Sequence, residues 1–129
     1  MMKLSYVILY VQDIEASIVF YQKAFALKHR FTHESGDYAE MDTGATTLAF
    51  CSHELAKSVV DGQYMKAAQD MPIGSQITFE PDDVKEAYQH ALQAGAKSIS
   101  APVVKPWNFE VAMLQDVDGH MVELAKNLA

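Results

Sequence analysis

With 129 residues the chain is long enough to form one unit that buries roughly two thirds of its unfolded surface; half of it is hydrophobic and 21% charged, which excludes a disordered chain. A net charge of −7, with no local run of Lys or Arg to offset it, repels phosphate backbones and anionic lipid, so neither nucleic acid nor a membrane is expected as a partner. The one cysteine, Cys51, excludes an intramolecular disulfide framework, and a cytoplasmic location is expected.

The opening MMKLSYVILYV has some of the apolar character of a leader, but it runs into Gln12 and Asp13 without a small-residue cleavage site. A first strand from about Tyr6 is the better reading. Asp13 then stands at an N-cap position, and Ile14, Ile18, Tyr21 and Phe25 recur at spacings of three and four, which predicts a helix with one buried face. Three strand-like pieces follow, HRFTH (29–33), DYAEM (37–41) and TTLAF (46–50), with SGD and DTG as turns.

Residues 52–73 show no strand alternation and read as a connector, in part helical, whose methionines suit packing or a lid. The plan then repeats at a constant offset of 70 residues. QITF (76–79) is a strand, Asp83 is an N-cap with Glu86 at capping-box spacing, and Val84, Ala87, Tyr88, Ala91 and Leu92 mark the buried helix face. Gly95 ends this helix, and KSIS, FEVAMLQ and HMVEL follow as strands separated by PVVKPWN and DVDG. The reading is an α+β fold, a single domain over residues 1–129 built of two tandem βαβββ modules, 1–51 and 74–129.

Because neighbouring side chains of a strand point to opposite faces, four of the strands sort into two sets. One set is wholly apolar (Val7, Leu9, Val11, Leu48, Phe50, Ile77, Phe79, Val122, Leu124) and belongs under the helices. The other is mixed: Tyr6, Ile8, Tyr10, Thr47, Ala49, Cys51, Gln76, Thr78, Met121 and Glu123. Rings, small residues, hydroxyls, an amide and one carboxylate together are the usual lining of a small-molecule site; a wet open sheet face or a subunit interface is the alternative. His29 and His33 fall two steps apart on one face of their strand with Phe31 between them, and read as surface histidines.

The motifs YVILYVQDIEASIVFY and LQDVDGHMVEL, set in two βαβββ units, resemble the vicinal oxygen chelate superfamily. That superfamily includes glyoxalase I, extradiol dioxygenases, fosfomycin-resistance transferases and bleomycin-resistance proteins. The resemblance implies a curved mixed sheet around a cleft with helices on the outer face. Its metal-ligand positions fall here on Tyr6, Ala49, Gln76 and Glu123, of which only Glu123 is a typical ligand, so the resemblance is nearest in character to metal-free, bleomycin-resistance-like members. Those bind planar drugs between aromatic rings and act as dimers.

The expected function is therefore binding of a small organic molecule, aromatic or cationic, in a metal-free cleft of a homodimer, with drug or toxin sequestration as its use. The expected ligand-binding residues are Tyr6, Tyr10, Thr47, Ala49, Gln76, Trp107, Phe109, Met121 and Glu123, with no cofactor and no assigned catalytic residue. The alternative is a metal-dependent glyoxalase I-like lyase or isomerase, or a dioxygenase-type enzyme, whose altered metal shell uses Gln76 and Glu123.

Overall fold

Eight strands and three helices follow one another in the order β1 (Tyr6–Val11), α1 (Ile14–Phe25), β2 (Lys28–Thr32), β3 (Tyr38–Asp42), β4 (Thr47–Ser52), α2 (His53–Val60), β5 (Gln76–Phe79), α3 (Val84–Gln93), β6 (Lys97–Val104), β7 (Phe109–Gln115) and β8 (Met121–Asn127) in a computed structural model describing residues 1–129. They form two units, Met1–Lys66 and Ala67–Ala129, and the boundary falls inside the connector. Each unit holds one four-stranded mixed sheet, with strand orders β1-β4-β3-β2 and β5-β8-β7-β6. In both, the first strand pairs in parallel with the last, and the remaining pairs are antiparallel. This is the two-module α+β fold that the repeated pattern implies.

In the first unit the register sets Val7 beside Leu48 and Leu9 beside Phe50. α1 covers this side: Ile14, Ile18, Phe20, Tyr21 and Ala24 are buried, and the Tyr21 ring tilts against Phe50 at 5.1 Å. Asp13 caps the helix by accepting from the Ala16 amide at 3.1 Å. At the other end the chain reverses through Ala26, whose φ of 57° puts an alanine in the left-handed region where helices ordinarily place glycine. Ala26 is exposed. Ala26→Gly is expected to relieve the Cβ strain against a smaller loss from unfolded-chain entropy, for a net gain of up to about 1 kcal/mol read by urea denaturation.

The second unit follows the same logic. Val122 and Leu124 face α3, whose Val84, Tyr88 and Ala91 are buried, and Asp83 accepts from the Glu86 amide at 3.0 Å. The DVDG turn before β8 is closed by a buried carboxylate. Asp116 Oδ1 accepts from the backbone amides of Asp118, Gly119 and His120 at 2.9–3.0 Å. Connector residues 67–69 lie directly on this turn: Gln69 Nε2 donates to the Asp116 carbonyl at 3.3 Å, and Gln115 Nε2 donates to the Gly119 and Ala68 carbonyls.

Several local expectations are corrected. β6 runs on through Ala101–Val104, so the turn after it shrinks to 105–108; Pro102 is tolerated because β6 is an edge strand with irregular pairing around it. The connector holds α2, capped by Ser52, but Met65 and Met71 are largely exposed and do not pack as core. β2 carries a bulge between His29 and Phe31, which breaks its alternation: His29 pairs with Met41, Phe31 with Glu40. His29 and Phe31 therefore face opposite ways, and His33 lies beyond the strand, bonded to Ser35. No helix is long and apolar enough to cross a membrane.

Candidate functional site

The mixed set of side chains forms the face of each sheet turned away from its helix. In the second unit, Gln76 pairs with Met121 and Thr78 with Glu123 across β5 and β8, and Met113 of β7 flanks Glu123 on the other side. A short polar chain runs across this face. Gln76 Nε2 donates to Thr78 Oγ1 at 3.2 Å, and Thr78 Oγ1 donates to Glu123 Oε1 at 3.0 Å. Glu123 is half-buried and its second oxygen accepts no bond from the protein, so it offers a negative charge bordered by Met113, Met121 and Ala125. Phe109 opens β7 on the same face, while Trp107 sits in the exposed β6–β7 turn. His120 is buried, and its amide belongs to the Asp116 cap.

In the first unit the same face is built differently. Tyr6 pairs with Thr47, Ile8 with Ala49 and Tyr10 with Cys51. Tyr6 and Ile8 are exposed, Ala49 is fully buried, and Tyr10 packs edge-on to Tyr64 with ring centroids 5.0 Å apart. Beside Ala49 lies Glu40 of β3, a residue that the four-strand sorting misses. Its Oε2 accepts from the Tyr38 hydroxyl at 2.8 Å, and its Oε1 meets Arg30 Nη1 at 3.3 Å. Arg30 also donates to Thr47 Oγ1 at 3.0 Å and reaches Asp42 at 3.4 Å.

Burial, reinforced by the Glu40 carboxylate, holds the Tyr38 phenol well above its ordinary range, so it stays a donor at any physiological pH. Burial and then the nearby Asp37 charge push the Cys51 thiol up, which makes it a poor nucleophile. The signal that could have found Glu40 was present: Tyr38 and Glu40 share a parity in DYAEM. What was missing was the register that lays that parity against Ala49 and Cys51.

Ala49 supplies no metal donor, both Glu40 oxygens are engaged by Tyr38 and Arg30, and Tyr6 is a phenol that ligates well only as phenolate. The Gln76 amide and Glu123 share Thr78, and no group of three or more His, Cys, Asp or Glu side chains converges anywhere in the chain. Neither unit's donors fit a divalent ion.

Residues 4–129 match a family profile described as a glyoxalase-like domain. The chain belongs to that family. Solved structures agree with the glyoxalase-like assignment and with the vicinal oxygen chelate fold. A glyoxalase/bleomycin resistance protein/dioxygenase family enzyme from Burkholderia phytofirmans PsJN is 25% identical, with a TM-score of 0.85 over 98% of this chain and 100% of that one. A glyoxalase-related enzyme from Fulvimarina pelagi gives 0.85 at 18% identity, covering 97% and 88%. A superfamily member from Sphaerobacter thermophilus gives 0.73 at 19% identity, covering 97% of each chain. No curated protein matches the sequence. The glyoxalase-like fold is thereby established.

Proposed function

We propose that this glyoxalase-like protein binds a small organic molecule without a metal, as a drug- or toxin-sequestering protein of the bleomycin-resistance kind, acting as a cytoplasmic homodimer. The observation that carries the reading is the Gln76–Thr78–Glu123 chain on an open sheet face, one half-buried carboxylate held by a hydroxyl and bordered by apolar side chains. A site with a few placed polar groups among apolar ones orients a ligand by hydrogen bonds while burial supplies the affinity. A lone carboxylate with a free oxygen selects a cationic or donating group, and the net charge of −7 favours a cation as well. In the same unit Phe109, on the Glu123 face, and Trp107, in the turn before it, supply rings, each worth about 0.5–1.5 kcal/mol beyond its area when stacked.

Calorimetry with benzamidinium, against neutral benzamide as control, tests the carboxylate. Glu123→Gln is expected to weaken benzamidinium several-fold with little loss of stability, because the amide keeps the Thr78 bond and removes only the charge. Equal affinity in the variant and the parent would sink the assignment.

The alternative, a metal-dependent lyase, isomerase or dioxygenase, needs donors beyond Gln76 and Glu123, which lie on adjacent strands of one face, and a partner chain would have to supply them. Elemental analysis of protein purified without chelators separates the two, since near-stoichiometric nickel, zinc, manganese or iron favours the enzyme.

A further inference from the structure

The open face of the first sheet carries a second recognition group. We propose that Arg30, turned onto that face by the β2 bulge, takes the carboxylate of a planar aromatic acid whose ring lies against Phe31. The inference rests on the reading that the open sheet faces bind small molecules, and it extends that reading to a ligand class that Glu123 would reject.

The geometry begins with the bulge. Phe31, not Arg30, is the residue opposite Glu40, yet Arg30 reaches Glu40, Thr47 and Asp42, so two consecutive side chains serve the same face. Bulges re-aim side chains in this manner at sites. Phe31 is 41% exposed and the Arg30 side chain 39%, which leaves both accessible. Tyr6, the partner of Thr47 on β1, is exposed beyond them.

The guanidinium has five N–H donors, and the contacts with Glu40, Thr47 and Asp42 occupy three of them. Two remain, the number a carboxylate takes in a bidentate pair. The 3.0 Å bond to the Thr47 hydroxyl fixes the group's position without neutralising it. Its two protein carboxylates hold it loosely: 3.3 and 3.4 Å exceed the roughly 2.7–2.9 Å of a tight charge-assisted bond. Asp42, at 57% side-chain exposure, is the weaker partner, and its negative charge opposes an incoming carboxylate on the two remaining donors. Glu40 stays in place because Tyr38 holds its other oxygen. Since the whole protein is acidic, recognition here is local and depends on the fork geometry of arginine.

Amide NMR titration of the full chain with sodium benzoate, and with benzamide as the neutral isostere, tests this. Benzoate is expected to move signals around Phe31, Tyr38 and Thr47 and to bind roughly tenfold more tightly than benzamide. Arg30→Gln should reduce benzoate to the benzamide level, and Asp42→Asn should tighten it. Where Arg30→Gln fails to fold, Arg30→Lys keeps the charge without the planar fork and should weaken benzoate several-fold. Equal binding of benzoate and benzamide, shifts confined to residues 67–129, no saturable shift, or Arg30 variants that bind as the parent does would each overturn the assignment. None of these outcomes bears on Glu123 and benzamidinium, so the two proposals fail separately.

Discussion

Gly119→Ala is expected to cost about 3–5 kcal/mol of stability, the largest effect of any glycine-to-alanine change in the chain. Gly119 has φ +100°, outside the comfortable range of a residue with a Cβ, and a Cβ built there would lie 2.4 Å from the Ala68 carbonyl carbon and 2.8 Å from the Gln69 amide nitrogen. Those are backbone atoms, which cannot swing aside as a side chain would. Gly44→Ala provides the control, because Gly44 has a similar φ of +91° but open space around it, and should cost only the conformational strain, about 1–3 kcal/mol. Urea denaturation of both variants separates steric exclusion from backbone strain. A Gly119→Ala cost no larger than that of Gly44→Ala would mean that residues 67–69 do not rest on the DVDG turn.

Removing the carboxylate that organises the same turn should be nearly as damaging. Asp116→Ala removes the side-chain acceptor shared by the Asp118, Gly119 and His120 amides, of which Gly119 keeps a 3.1 Å bond to the Asp116 carbonyl, at an expected cost of about 3–5 kcal/mol. Asp116→Asn keeps an oxygen at the same place and loses only the charge assistance, so about 1–2 kcal/mol is expected. Thermal and urea unfolding should rank the three proteins in that order. If Asn proves as costly as Ala, charge and not acceptor geometry holds the turn.

Much of this molecule could be read from residue order alone, where the determinant was local. Asp13 and Asp83 cap their helices by bonding amides three residues on, so spacing sufficed. The apolar face emerged from period-two alternation, since Val7, Leu9, Leu48 and Phe50 need no partner strand to declare their side. Features that depend on another strand stayed hidden. Glu40 gains its meaning only when β3 is laid against β4, and the bulge at His29–Phe31 reverses the parity that alternation assigns to HRFTH. Pro102 reads as a strand breaker until β6 is known to be an edge. Residues 67–69, without periodicity of any kind, owe their position to Gln69, Gln115 and the space a glycine leaves open.

The parallel pairing of first and last strands bears on how each unit is made. β8 lies between β5 and β7, so during translation β5 waits without a neighbour while α3, β6 and β7 are being synthesised. The sheet of residues 67–129 stays split into an orphan strand and a hairpin until residues 121–127 leave the ribosome. The earlier half, whose closing strand β4 is complete by Ser52, is free to assemble well before that moment.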